Sequence, residues 1–388
     1  MDHKILLDKL QLYHFSPKTI AWFQSYLEGR KQIVVVESKL SDPKEIGDQG
    51  VPQGSLLGPI LFLIFYNDFP DIRDDGTSVL YADDDTDNVR HKDPDILQQK
   101  IQEIANKSTE WVHDNKLVCS GSKTKLLVIG TKELRRTRLT NQNKVLEIEV
   151  AGHKVKESDS ERLLGLVVNN SMTWKNHLYG NSEHRGLIPK LSQRAGIIRK
   201  LSYIMPRDKL NTIAEGIFFS LLNYCVEVYG NVWGLPTYDD QVRHSTAFRK
   251  EDNMKLQILV NKVLRSLTGL ERDTPVSVLS SVSGKLSVQQ RTAFFTINSV
   301  HRSMQTQEPQ YSYSTLKPIA NQENEVPHYH SNCNMVHRKL SISRGGYYYR
   351  GSRLYNLLPA SLTQSLTQAA FKKGAKQWVQ ANIPLLPP

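Results

Sequence analysis

One change of pattern limits what this chain can fold into more than any single residue does. Up to about Glu183, helical and strand-like stretches alternate; beyond it the apolar periodicity is helical alone. A first helix begins almost at Met1, with Ile5, Leu6, Lys9, Leu10 and Tyr13 in one stripe, and Ser16-Pro17 supplies cap and first-turn proline for a second through Leu27. Gln32 to Glu37 reads as a strand, Leu56 to Tyr66 as a buried apolar helix, and Ser78 to Tyr81 with Thr86 to Arg90 as a hairpin around an acidic turn. Asp93-Pro94 opens a helix whose Leu97, Ile101, Ile104, Ser108 and Trp111 form a core-facing seam. Further strands are expected at Lys125–Ile129, Val145–Val150 and Leu163–Val168, which makes residues 1–182 an α+β domain. Residues 183–304 hold the helical patterns Leu187–Tyr203, Lys209–Tyr229 and Met254–Leu267. Residues 305–388 read as a polar, basic tail that turns helical only at Gln364–Gln380.

Charge follows the same division. The first hundred residues carry 11 Lys/Arg against 17 Asp/Glu, net −6, while the remainder carries 39 against 22, net +17. Carboxylates in one part and cations along the rest suit a metal-dependent enzyme acting on a polyanion, although surface solvation alone produces the same asymmetry. With 39% hydrophobic residues the chain is too apolar for wholesale disorder. Cys119, Cys225 and Cys333 lie too far apart for a disulfide framework or a CxxC pair, so a reducing compartment is expected. The uncharged stretch Ser55–Asn67 falls short of the roughly 20 residues of a membrane span. No basic-then-apolar leader indicates secretion.

The chemistry concentrates in Tyr81-Ala82-Asp83-Asp84. Neighbouring strand side chains point to opposite faces, but a tight turn lets two carboxylates converge, and a divalent cation relieves their repulsion; hard oxygen ligands select Mg²⁺ or Mn²⁺. Asp85 and Asp87 add negative charge beside the pair. Asp-Asp pairs are also common in solvated turns, so context decides. That context is Gly50-Val51-Pro52-Gln53-Gly54-Ser55-Leu56-Leu57-Gly58. Here Gly54 frees the backbone for close approach to a ligand, Gln53 offers an amide to a base or sugar, and Ser55 can cap the following helix. The same residues also read simply as a loop entering a core helix.

Taken together, the glutamine-glycine loop and the Tyr-Ala-Asp-Asp hairpin resemble the reverse transcriptases of non-LTR (LINE-like) retrotransposons. "WFQSYLEGR" from Trp22, Tyr66-Asn67-Asp68, and "LVCSGSKTKLLVI" from Leu117 resemble further family segments, although the family usually has asparagine where Ser120 stands. Leu163-Leu164-Gly165-Leu166 with Trp174 and His177 is similar to the hairpin that positions the primer end, and the likeness continues through "NKVLRSLTG" to "GSRLYNLLPASLTQSLTQAAF". The resemblance implies a polymerase palm, a helical thumb and a C-terminal tail. It makes Asp83 and Asp84 two of three catalytic metal ligands for Mg²⁺ or Mn²⁺, with Gln53, Gly54 and Lys123 near nucleotide and template. The third carboxylate is expected on a strand just ahead of the segment resembling Asp2–Leu7, outside this sequence; Asp2 itself reads as a helix-start charge. Loss of even an outer-shell partner costs roughly 10–100-fold, so little polymerase activity is expected from these residues alone.

Cations on the helical part, among them Arg194, Arg199, Lys200, Lys255 and Lys262, would track the phosphates of an RNA template and DNA primer without reading sequence. Each also reads as part of a solvated helix face. Arg344 to Arg350 interleaves arginine with three tyrosines, as a stacking platform or, with more weight, as a packed element. His328, His330, Cys333 and His337 approach metal-ligand spacing without matching a known pattern. Two functions follow: a reverse transcriptase polypeptide, or a non-catalytic nucleic-acid-binding remnant. Either is expected inside the cell, in nucleus or cytoplasm.

Overall fold

The computed structural model describes residues 1–73, 77–130, 145–233, 248–316, 347–365 and 367–385, which form two compact units, Met1–Asp159 and Ser160–Pro388. In the first unit α1 (His3–Leu12), α2 (Pro17–Leu27) and α3 (Leu57–Tyr66) bury Leu6, Leu10, Leu27, Leu61 and Phe65 around Trp111. Local chemistry sets their starts. Asp2 caps α1 by accepting from the Ile5 N–H at 3.1 Å, and Ser16 caps α2 by accepting from Thr19 at 3.2 Å. Lys9 lies within this core, donating to the Phe65 carbonyl (2.8 Å) and Asp68 (2.7 Å) beneath the rings of Phe65 and Trp111. Burial lowers the Lys9 pKa, and Asp68 opposes the shift.

The sheets are small. β1 (Lys31–Gln32) pairs with β4 (Lys44–Glu45), and β2 (Val35–Val36) with β3 (Lys39–Leu40), as one interrupted and fully exposed hairpin. The single strand expected over Gln32–Glu37 is therefore split. β5 (Thr77–Tyr81) and β6 (Asp84–Asn88) form the acidic hairpin. α4 (Pro94–Asp114), capped by Asp93, sets Trp111 in the helical core and packs Leu97 and Ile101 against a three-stranded sheet. In that sheet β7 (Leu126–Leu127) is parallel to β9 (His153–Ser158), and β9 is antiparallel to β8 (Glu147–Val150).

The second unit opens with the hairpin β10 (Ser160–Leu163) and β11 (Leu166–Asn169), whose two turn residues, Leu164 (φ 44°) and Gly165 (φ 87°), both occupy the left-handed region, as a type I′ turn requires. One core gathers α5 (Lys175–Tyr179), α6 (Leu187–Leu201), α7 (Arg207–Ala214), α8 (Ser220–Asn223), α9 (Val226–Tyr229) and α10 (Lys250–Thr268). The helix expected over Lys209–Tyr229 is interrupted by a π-turn at Glu215–Phe219 and broken at Cys225, whose φ is 53°. After α11 (Val276–Ser283), α12 (Val288–Thr306) joins this core to a second one.

That second core corrects the picture of a polar tail. α13 (Gln310–Leu316), α14 (Tyr347–Asn356), α15 (Ala360–Thr363) and α16 (Gln368–Asn382) pack with α12 around Ile297, Leu316, Leu354 and Phe371. Arg350 is buried, donating to the carbonyls of Gly230 (2.7 Å) and Glu227, and Tyr347 donates to Ser299 at 2.8 Å. Tyr347–Arg350 is thus a packed element, while residues 344–346 and His328, His330, Cys333 and His337 lie outside the described residues. Among the described residues, Cys119 and Cys225 are free thiols. None of the described helices is long and apolar enough to cross a membrane.

Candidate active site

The β5–β6 hairpin closes with Tyr81 directly opposite Asp84, leaving Ala82 and Asp83 as a two-residue turn. Ala82 takes φ 55°, the left-handed conformation that such turns usually give to glycine. Residues opposite one another share a face. Ser78, Leu80, Asp85 and Asp87 therefore face inward, and Val79, Tyr81, Asp84 and Thr86 outward; Val79 and Tyr81 are well exposed.

This alternation sorts four aspartates into two kinds. Asp85 and Asp87 converge on Arg73, whose guanidinium reaches each carboxylate at 2.6 Å and also donates to the Phe69 carbonyl at 2.9 Å. Ser78 donates to Asp85 at 2.8 Å, and the guanidinium lies 4.2 Å from the centre of the Phe69 ring. Burial, reinforced by Asp87, raises the Asp85 pKa even so. Asp83 and Asp84 are exposed, and neither side chain has a hydrogen bond or ion pair among the described residues. Arg73 is the residue that sequence reasoning missed. It is the last cation before a run of aspartates that needs compensation, which is the signal that marks it.

Two hard carboxylates with no competing cation among the described residues suit Mg²⁺ or Mn²⁺. Among the described residues no group of three His, Cys, Asp or Glu gathers around a common point. Asp83 and Asp84 can supply part of a coordination shell; the described residues do not supply the rest. Asp2 is engaged elsewhere: besides capping α1 it accepts from Lys116 at 2.8 Å, and that bond holds its carboxyl below the usual range.

The glutamine-glycine loop is fastened at its start to the N-terminal segment. His3 Nε2 lies 2.7 Å from the Gly50 carbonyl, and the Gly50 N–H donates to the Met1 carbonyl at 2.7 Å. At the other end the Ser55 hydroxyl donates to the Pro52 carbonyl (2.8 Å) and accepts from the Gly58 N–H (3.0 Å), tying the turn to the first residues of α3. A Cβ at Gly58 would stand 3.1 Å from that hydroxyl and 3.3 Å from the Pro52 carbonyl, so this corner has little room. Gln53 and Gly54 lie exposed between the anchors, Gly54 at φ 81°. The helix that follows departs from expectation: α3 buries Leu61 and Phe65 but leaves Ile60 and Leu63, and Leu56 just before it, more than half exposed.

Lys123 is exposed in a turn held by its own N–H to the Ser120 carbonyl at 3.0 Å. Gly121 fixes that turn, because a Cβ there would come within 2.3 Å of the Val150 carbonyl. The cations of the second unit divide by partner. Arg194 donates to the Ile217 carbonyl, and Lys255 lies over the Tyr179 ring at 4.7 Å. Arg199, Lys200 and Lys262 are exposed, with no side-chain partner among the described residues.

A family model described as reverse transcriptase (RNA-dependent DNA polymerase) matches residues 1–168. The probable RNA-directed DNA polymerase from transposon X-element of Drosophila melanogaster is 26% identical over 252 residues, 64% of this chain and 25% of that protein. The RNA-directed DNA polymerase from mobile element jockey is 23% identical in D. melanogaster (68% of this chain, 28% of that protein) and 26% identical in D. funebris (66% and 25%). The chain spans about a quarter of the length of these curated relatives. No solved structure matches it significantly. A reverse transcriptase match covers the unit that carries the acidic hairpin, and transposon RNA-directed DNA polymerases are among the relatives, so the chain is similar to LINE-like (non-LTR) reverse transcriptases.

Proposed function

We propose that this chain serves RNA-templated DNA synthesis, with Asp83 and Asp84 as metal-binding carboxylates at the site of nucleotidyl transfer to a primer 3′-hydroxyl. One observation carries the reading: in a hairpin of four aspartates, Arg73 neutralises Asp85 and Asp87 and leaves Asp83 and Asp84 exposed at the turn, unpaired among the described residues. A solvated acidic turn has no need of that division.

Residues 1–182 would act as palm, 183–304 as thumb and 305–388 as the C-terminal part, with the β10–β11 hairpin belonging to the compact unit that begins at Ser160. Mg²⁺ or Mn²⁺, held in part by Asp83 and Asp84, supplies charge neutralisation at the reacting phosphate. Gln53 offers an exposed amide to base or sugar, and Gly54 an open backbone beside it. Lys123 brings an exposed ammonium for a nucleotide phosphate, and Arg199, Lys200 and Lys262 hold the template–primer backbone. Arg194 and Lys255 hold the helices that present them. Because no group of three metal-binding side chains gathers among the described residues, synthesis by these 388 residues alone is slow.

Primer extension on a primed RNA template, with either metal, tests this. Product that appears with Mn²⁺ or Mg²⁺ and disappears in Asp83→Asn is the expected result. Salt-sensitive template binding that survives the substitution, with no extension by either protein, would favour the non-catalytic binding role.

A further inference from the structure

The ribbon formed by β1 to β4 leaves both of its faces in solvent: Ile33, Val34, Val35, Val36 and Leu40 are between 47% and 72% exposed. A two-stranded ribbon without further cover is marginal, so an apolar one invites a partner. Its two edges differ. The return strand, residues 39–45, is guarded: Pro43 has no N–H to offer, and Lys39, Asp42 and Lys44 set charge along it. Between the pairs Val35–Leu40 and Gln32–Lys44 this strand also carries one residue more than its neighbour, a bulge that disturbs the edge. The opposite edge runs through residues 33–36, four apolar residues with neither proline nor charge.

Backbone direction fixes which residues can receive another strand there. The Val34 carbonyl accepts from the Ser41 N–H, and the Val34 N–H donates to the Ser41 hydroxyl, both at 3.0 Å, so Val34 faces into the ribbon. Successive residues of an antiparallel strand alternate in this respect. Ile33 and Val35 therefore direct their N–H and C=O groups to the free edge.

We propose that this edge pairs with the same edge of a second copy of the chain, antiparallel about a two-fold axis at Val34. Ile33 of each copy then exchanges both backbone hydrogen bonds with Val35 of the other, and the two aliphatic side chains meet on one face. Lys31 of each copy comes beside Glu37 of the other, and Glu37 has no ion pair of its own among the described residues.

Neighbouring registers fail. A shift by one residue sets amides that face into the ribbon against amides that face out, and no ladder forms. An axis at Val35 puts Lys31 opposite Lys39, and an axis at Ile33 puts Lys31 opposite Val35, so charge complementarity selects the axis at Val34. Because the return edge is guarded, pairing closes at two copies and does not grow into a filament. The contact is small, so the association is weak, and it is independent of the polymerase reading.

Sedimentation velocity of the full chain over a concentration series tests this, with amide hydrogen exchange followed at Ile33 and Val35. The expected result is a monomer–dimer equilibrium in which both amides gain protection as dimer forms. Val35→Pro removes an outward N–H without touching a hydrogen bond of the ribbon; it should weaken dimerisation at least about tenfold and leave the unfolding midpoint of the monomer unchanged. Lys31→Glu should weaken it about threefold or more, and Lys31→Glu/Glu37→Lys should recover it. A chain that stays monomeric up to about 0.5 mM, assembly beyond two copies, or a dimer indifferent to Val35→Pro or to the charge reversal overturns the proposal.

Discussion

Replacing Arg73 by methionine removes the compensation of the acidic hairpin while keeping much of the side chain's apolar bulk. The Arg73 side chain is 4% exposed, and those of Asp85 and Asp87 are 19% and 23% exposed. Removing one partner of a buried ion pair typically costs 3–5 kcal/mol; the partial exposure of the two carboxylates reduces this to about 2–4 kcal/mol here. For a unit of this size the midpoint of thermal unfolding should fall by roughly 5–15 °C. The pH dependence supplies the sign. Asp85 already titrates above its ordinary range, so its proton is held more tightly in the folded than in the unfolded chain. Its ionisation therefore destabilises the fold above the folded pKa, and the penalty disappears as pH falls below the unfolded value. Without Arg73 the folded pKa rises further, so the gap between variant and wild type should be largest near pH 7 and should narrow toward pH 4. Urea denaturation followed by tryptophan fluorescence at pH 7 and pH 5 measures both effects. Asp85→Asn in the variant background should recover part of the stability. A destabilisation below about 1 kcal/mol, or one equal at both pH values, would refute the assignment of Arg73 as the internal counter-charge.

Other positions separate structural from functional cations. Arg199→Gln/Lys200→Gln/Lys262→Gln should leave unfolding midpoints nearly unchanged while lowering the salt slope of nucleic-acid binding by about 1 for each phosphate that is no longer neutralised, measured by fluorescence anisotropy across a salt series. Arg194→Gln should do the reverse, destabilising the second unit with little change in salt slope, because its guanidinium is held by the Ile217 carbonyl. Arg350→Met should cost the second unit about 2–4 kcal/mol in denaturant titration, since it strips donors from the buried carbonyls of Gly230 and Glu227.

Features governed by neighbouring residues were legible in the sequence. Ser16-Pro17 and Asp93-Pro94 carry their caps with them, and the structure starts α2 and α4 there. The turn connecting β5 and β6 follows from an apolar strand meeting Ala82-Asp83. Features decided by distant packing were not. α14 hides its buried face in Arg350, Gly351 and Ser352, which hydropathy reads as exposed; a Cβ at Gly351 would approach Val300 of α12 to 2.8 Å, so close helix contact replaces apolar bulk. α12 buries Gln289, Gln290 and Arg291 for a similar reason, since they donate to the Trp233 carbonyl, the Ile383 carbonyl and Asn223 respectively, while the buried Thr292 hydroxyl donates back to Val288 of the same helix. The opposite error falls on α3 and its N-cap, where Leu56, Ile60 and Leu63 look like core residues and are exposed. At the acidic hairpin, the aspartates were visible as a group. Their division into paired and free carboxylates depends on strand alternation and on Arg73, and only the fold brings those together.

Titration with Mn²⁺ followed by electron paramagnetic resonance tests most directly whether Asp83 and Asp84 form a metal-binding pair. The wild-type chain and an Asp71→Asn control should bind Mn²⁺ alike, and Asp83→Asn/Asp84→Asn should bind at least about tenfold more weakly while unfolding at the same midpoint. Superimposable Mn²⁺ titrations of the wild type and the double variant would contradict it.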